Sequence, residues 1–313
     1  MKHPWQQNKR YNSYSEYLKQ TFGEKIQKLA VNAGFTCPNR DGTVGRGGCS
    51  YCNNEAFNPY YCDPLKSVNQ QIEEGKAFHL KRNRRASKYL AYFQAYSNTY
   101  APLSRLKGIY DQAMSVPGIV GLVVGTRPDC VDAEKLDYFQ RLAENKYVMI
   151  EYGIESGYDK TLQRINRGHS FDQSVKAIEE TAKRGIKTGA HLIFGLPGET
   201  REEMLNEAAL FSSLPLDIIK FHQLQIVKNT AMAIEYAQNP GMFNLFSLDD
   251  YLEFMLSFVE QLNPDIVIER IAGEVPPRFL AVHPWKGVVY DQILQRFELL
   301  LEEHNTWQGR LVQ

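Results

Sequence analysis

The stretch Lys25-Ile-Gln-Lys-Leu-Ala-Val-Asn32, followed by Cys37-Pro-Asn-Arg-Asp-Gly-Thr-Val-Gly-Arg-Gly-Gly-Cys49-Ser-Tyr-Cys52, sets a strand-length apolar run just before a glycine-rich loop with three cysteines. The arrangement recurs downstream. Runs at 88–96, 119–126, 147–155, 187–194 and 217–227 lead into turns at 96–100, 126–129, 155–157, 195–200 and 228–230. Between them, 68–84, 103–115, 133–144, 172–184 and 201–213 carry apolar residues at helical spacing. Repeated strand–helix alternation predicts an α/β fold of parallel strands joined by crossover helices. In such a fold the loops beyond the carboxyl ends of the strands converge and build the site. After about residue 231 the pattern changes to helices near 249–262 and 290–303, with a candidate strand at 266–270. The expected organisation is an N-terminal arm (1–24), a core (25–230) and a C-terminal extension packed on it (231–313).

A chain of 313 residues, 43% of them hydrophobic, can bury a large core. Its 36 basic and 36 acidic residues cancel, so the molecule lacks the overall basic field of many nucleic-acid binders and any such contact must be local. Neither a signal-peptide core nor a run long enough to cross a bilayer is visible, which suggests a cytoplasmic protein without membrane contact. Five cysteines suit thiols serving a metal better than a disulfide framework.

Cys49 and Cys52 are separated by two residues, and Cys37 stands upstream across a gap rich in glycine, with proline, asparagine and aspartate. Such a loop can fold back tightly and bring three thiolates around one iron–sulfur cluster. Electron-transfer clusters are normally closed by four cysteines; three leave an iron open to a ligand. The alternative is zinc, with Cys62 or His79 as fourth ligand, although no second short-spaced ligand couple follows Cys49-x-x-Cys52.

The cysteine loop, together with Tyr92-Phe-Gln-Ala-Tyr-Ser-Asn-Thr-Tyr100, Gly125-Thr-Arg-Pro-Asp129, Glu151-Tyr-Gly-Ile-Glu-Ser-Gly157, Arg167-Gly-His169 and Gly195-Leu-Pro-Gly-Glu-Thr200, resembles the radical S-adenosylmethionine (SAM) superfamily. Within it the resemblance is to the YhcC/YtqA-type proteins, which are similar to the radical SAM half of the Elongator catalytic subunit. It covers nearly the whole chain. It implies a partial (β/α)6 TIM-type barrel with an α-rich C-terminal extension. It also implies a [4Fe-4S] cluster that cleaves SAM reductively to a 5'-deoxyadenosyl radical, which takes a hydrogen atom from the substrate. By resemblance, Cys37, Cys49 and Cys52 are the cluster ligands and Tyr51 lies beside the SAM adenine. Gln94 and Ser97 stand where relatives have a Gly-Gly-Glu run at the SAM amino group, and Thr126 and Arg127 stand at the ribose. Glu155 and Arg167 match a pair near the methionyl end, where a guanidinium suits a carboxylate. His191 replaces an aspartate of the oxygen-independent coproporphyrinogen oxidases, and Leu196 offers the adenine an apolar face.

Other residues allow two readings. Arg127 and Asp129 fit a rim ion pair as well as a functional one, and Glu151 fits a pair with Lys220 or Lys187. Cys62 and Cys130 read as spectators, His169 as a helix-start hydrogen-bonding residue or a substrate contact, and His222 as a satisfied core histidine or one reaching the barrel interior. Lys228, at a strand end, could meet a substrate anion. A basic run with Lys81, Arg82, Arg84 and Arg85, and an arm mixing Trp5, Tyr11, Tyr14 and Tyr17 with basic residues, could hold phosphates and stack on bases, or simply be a solvated face and a packed arm. The segments 270–274 and 275–278 could cap the barrel. Three functions compete. The first is a radical SAM enzyme acting on tRNA at the wobble uridine, served by a reducing donor such as flavodoxin or ferredoxin. The second is the same chemistry on a small metabolite or protein side chain. The third is a non-catalytic metal-binding regulator.

Overall fold

The computed structural model describes residues 3–82, 84–283, 285 and 287–312. Along the chain run α1 (Tyr14–Phe22), β1 (Ile26–Val31), α2 (Pro38–Asp41), α3 (Val68–Lys81), β2 (Lys88–Phe93), α4 (Leu103–Met114), β3 (Ile119–Thr126), α5 (Ala133–Ala143) and β4 (Tyr147–Glu155). Then follow α6 (Asp159–Arg164), α7 (Phe171–Ala182), β5 (Lys187–Phe194), α8 (Arg201–Ser212), β6 (Ile218–Gln223), α9 (Ala231–Gln238), α10 (Leu248–Gln261), β7 (Val267–Arg270) and α11 (Tyr290–Glu303). The strands form one parallel sheet in the order β1-β2-β3-β4-β5-β6-β7, a curled partial barrel with helices outside and a helical C-terminal region. The expected six strands become seven because 267–270, in the region read as an extension, pairs along β6.

Alternation along the strands sorts the side chains. Leu29, Val31, Ala91, Phe93, Leu122, Val124, Ile150, Tyr152, Leu192, Phe194, Ile219 and Phe221 point outward and pack beneath the helices. Inward-facing Leu90, Val123, Met149, Ile218 and Val267 make an apolar floor at the amino ends of the strands. That floor is plugged by Tyr14 and Leu18 of α1. The arm therefore does structural work: Trp5, Tyr11 and Tyr14 are buried, and those rings cannot stack on RNA bases.

The barrel has no hydrogen-bonded ladder between β1 and β7, and the arm spans this seam. Ile268 N donates to Asn12 O at 2.7 Å, Ser13 bridges Ile268, and α1 touches both edge strands. The C-terminal tail holds the arm in turn, as Gln308 N donates to Arg10 O and Asn12 N to Gln308 Oε1, both at 2.9 Å.

Two expected strands stop short. β2 ends at Phe93 rather than 96 because the chain turns at Tyr96, which has φ 63°. β6 ends at Gln223 rather than 227, and Leu224 and Ile226 leave the ladder to pack on Leu162, Ile165, Met232 and Phe243.

Candidate active site

The cysteine loop is held in place from several sides. Cys37 caps α2, whose first residue is proline, and Asn166 Nδ2 donates to Gly48 O at 2.8 Å. Ser50 N donates to Ile165 O at 2.9 Å and Arg40 Nη2 to Cys52 O at 2.9 Å. Gly48 is needed where it stands, since its φ is 83° and a Cβ there would lie 2.9 Å from Arg40 Nε. The loop presents Cys37, Cys49 and Cys52 to one cavity at the carboxyl ends of the strands. Tyr51, Gln94, Ser97, Thr126, Arg127, Glu155, Arg167 and His191 line the same cavity.

The thiols are free, and polar hydrogens are aimed at their sulfurs. Arg167 Nη1 lies 3.4 Å and Asn39 Nδ2 3.6 Å from Cys49 Sγ, and Asn54 Nδ2 lies 3.5 Å from Cys52 Sγ. Burial, with the neighbouring Cys49, pushes the Cys52 thiol up to about 11, so ligation there releases a proton. Among the described residues no three His, Cys, Asp or Glu side chains converge tightly enough for one metal ion. Three thiols spread around a cavity, with donors to their sulfurs, fit a multi-iron cluster whose ligands stand apart better than they fit a single zinc.

Beside the cysteines, Arg167 Nη2 lies 3.5 Å from Glu155 Oε1. A register shift between β4 and β5 at Gly153–Glu155 and a left-handed Glu155 (φ 77°) turn this carboxylate into the cavity. Two further carboxylates hold that bend from behind: Glu199 accepts from Ser156 Oγ, and Glu207 from Gly157 N. Burial and the Glu199 charge raise the Glu207 carboxyl well above its ordinary range. Arg127 forms a two-pronged pair with Asp129, both contacts 2.8 Å, and Nη1 donates to Arg167 O at 2.7 Å. This pair is buried, which removes the rim reading. Thr126 Oγ1 lies 2.6 Å from Thr99 Oγ1.

Below the cavity, and above the apolar floor, lies a layer of charge. Glu151 Oε1 lies 2.8 Å from Lys28 Nζ, and its Oε2 is 3.3 Å from Lys220 Nζ and 2.8 Å from His191 Nε2. Glu269 lies 2.9 Å from both Lys28 and Lys220. Two cations and two anions cancel within this layer, and Lys220 Nζ also donates to Tyr92 Oη at 2.9 Å. Burial opposes ionisation of Glu151, but Lys220, Lys28 and the His191 hydrogen bond outweigh it and hold the carboxyl well below its usual range. Of the two partners expected for Glu151, Lys220 is found; Lys187 pairs instead with Asp217 at 2.6 Å.

Six of the expected site residues lie elsewhere. Leu196 is buried in the apolar cluster behind Tyr51. Lys228 sends Nζ to Arg278 O at 3.0 Å and ties the end of the barrel to the C-terminal region. Lys81 closes α3, and Arg82, Arg84 and Arg85 continue toward the amino end of β2, opposite the cysteines. Arg82 lies 4.2 Å from the centre of the Phe78 ring. Sequence reasoning missed Asn39, Arg40 and Asn54, whose only signal was adjacency to cysteines, and Lys28 and Glu269, which meet only because the sheet curls.

No helix among the described residues is long and apolar enough to cross a membrane. Residues 36–211 match the Radical SAM superfamily and 216–298 the Radical_SAM C-terminal domain. Protein YhcC of Escherichia coli (strain K12) is 39% identical over 290 residues, 91% of this chain and 92% of its own. The tRNA uridine(34) acetyltransferase of Methanocaldococcus infernus is 25% identical over 161 residues, half of this chain and 29% of that protein. Among solved structures, archaeal Methanocaldococcus infernus Elp3 with an N-terminal deletion superimposes with a TM-score of 0.67 at 17% identity, over 90% of this chain and 64% of its own. That likeness shows the fold. The match over more than half the length, carried by the cysteine loop and the strand-end segments around one cavity, makes this chain a member of the radical SAM superfamily, enzymes that work with a [4Fe-4S] cluster and SAM.

Proposed function

We propose that this enzyme modifies a uridine of tRNA, at the wobble position, in the cytoplasm. The observation that carries the reading is the likeness of half of this chain to a tRNA uridine(34) acetyltransferase. Cys37, Cys49 and Cys52 would hold the cluster, with Arg167, Asn39 and Asn54 donating to the sulfurs. Bound there, the cluster and SAM supply a carbon radical able to remove a hydrogen atom. The residues of the chain bind and orient. Arg167 meets the SAM carboxylate, Gln94 and Ser97 its amino group, Thr126 and Arg127 the ribose, and Tyr51 the adenine, with Leu196 supporting Tyr51 from behind. A one-electron donor of the flavodoxin or ferredoxin type reaches the cluster over the exposed residues 41–44.

The test is mass spectrometry of tRNA nucleosides from a deletion strain, complemented with wild type or with Cys49→Ser. Loss of one modified uridine, restored only by wild type, is expected; an unchanged profile refutes the reading. A small metabolite or protein side chain as substrate is favoured by one observation, the basic run at the far end of the barrel. Binding of tRNA that keeps its salt dependence when 81–85 is neutralised would show that other residues hold the phosphates. Membership in an enzyme superfamily displaces the reading as a non-catalytic regulator.

A further inference from the structure

A second cavity opens from the first, sharing Tyr51, Gln94, Glu155 and His191, and continues past His222 and Gln225 to Phe57, Ile193, Leu224 and Val227. Its polar ends are of one kind. A carboxylate only accepts, so the Nε2 of His191 that meets Glu151 carries the hydrogen, and Nδ1 is the ring nitrogen left for a ligand. Among the described residues the side chains of Gln94, His222 and Gln225 bond no protein group. Burial, then the charges of Arg270, His191 and Lys220, hold His222 well below the usual imidazole range, so it stays neutral. The one carboxylate at the wall, Glu155, is already beside Arg167. Two amides and two imidazoles thus offer donors and acceptors, and half-buried Phe57 adds a ring face. The wall is built rather than incidental. Gln223 exchanges two hydrogen bonds with Gly273, 3.0 and 2.8 Å, and a Cβ at Gly273 would lie 2.6 Å from His222 Nδ1.

We propose that this second cavity is the substrate subsite and takes an uncharged planar ring bearing adjacent N–H and C=O groups, the uracil of a uridine turned out of its stack. The choice of uracil rests on the tRNA reading above. Among the described residues the wall carries no lysine or arginine to hold a phosphate or carboxylate, whereas an imide edge meets both donors and acceptors, and an aromatic wall suits its flat face. The ring would then lie against Gln94 and His191, on the border with the cysteine cavity where the hydrogen atom is taken.

The experiment is anaerobic equilibrium dialysis of labelled uridine against the full chain reconstituted with cluster and SAM. Saturable binding of uridine is expected, with 3-methyluridine, His222→Phe and Gln225→Leu each weaker by about tenfold, as for one lost buried hydrogen bond. Inorganic phosphate should not compete. No saturable uridine binding, competition by phosphate, or affinities of 3-methyluridine and both variants within about twofold of the reference would overturn the assignment. Gln225 is half-buried, so its variant reports even if the His222 variant fails to fold. The two readings fail separately. An altered tRNA profile without uridine binding rejects this subsite, and uridine binding with an unaltered profile rejects tRNA as the substrate.

Discussion

Replacing Lys220 by methionine removes one of two cations from a layer in which two carboxylates are buried. The Lys220 side chain is 4% exposed, that of Glu151 1% and that of Glu269 10%, so water screens little of the change. Breaking a buried pair by removing one partner generally costs about 3–5 kcal/mol. Lys28 stays within 2.8 Å of Glu151 and 2.9 Å of Glu269, which puts the expectation at the lower end, about 3 kcal/mol. Converting Glu269 to glutamine in the same chain restores neutrality, and the double variant should recover to about 1 kcal/mol below wild type. In a chain of this size 1 kcal/mol corresponds to roughly 2 °C, so thermal unfolding of the reconstituted protein should show losses of about 6 and 2 °C. If Lys220→Met melts within about 2 °C of wild type, or the double variant melts below the single, charge balance is not what the layer provides.

Gly153→Ala should weaken SAM binding by about tenfold or more in anaerobic dialysis, the scale of one lost charged contact, because a Cβ at 153 would lie 2.6 Å from Arg167 Nη2 and 2.7 Å from Glu155 Oε1. Glu207 binds its proton more tightly folded than unfolded, so wild-type stability should fall as pH rises from about 4.5 toward its raised folded value, by up to about 1.4 kcal/mol per unit; Glu207→Gln should flatten that slope in melts taken between about pH 5 and 8. Cys49→Ser should abolish the cluster absorbance and 5'-deoxyadenosine formation, whereas Cys62→Ser, whose thiol donates to Ala30 O at 3.2 Å outside the cavity, should leave both, and equal behaviour of the two would remove the cysteine assignment.

The strands 119–126, 147–155 and 187–194 were legible to the residue, since each is a buried run bounded by glycine or polar turns. Eleven of twelve residues expected around the cofactors line one cavity, because strand-end loops must converge once the strands are parallel. Leu196 failed for a reason sequence does not carry: a leucine between Gly195 and Pro197 packs either way, and here the bend at Gly195 (φ 88°) turns it into the core. α1 was hidden because its apolar residues fill the mouth of a barrel that exists only in three dimensions. The basic run was legible only as charge, since the end of the barrel it decorates depends on the direction of α3.

The seam between β1 and β7 is stitched by the first and last segments of the chain, with Arg10 and Asn12 bonded to Gln308 and Asn12 to Ile268. This ties closure of the barrel to pairings between residues far apart in the chain. Residues 10–14 meet 268 and 308 only through contacts distant in sequence, so sealing the barrel floor carries the loop-closure cost of non-local pairing. Opening that seam would let water reach the inward charges of Lys28 and Glu151, which lie beneath the cavity of the three cysteines.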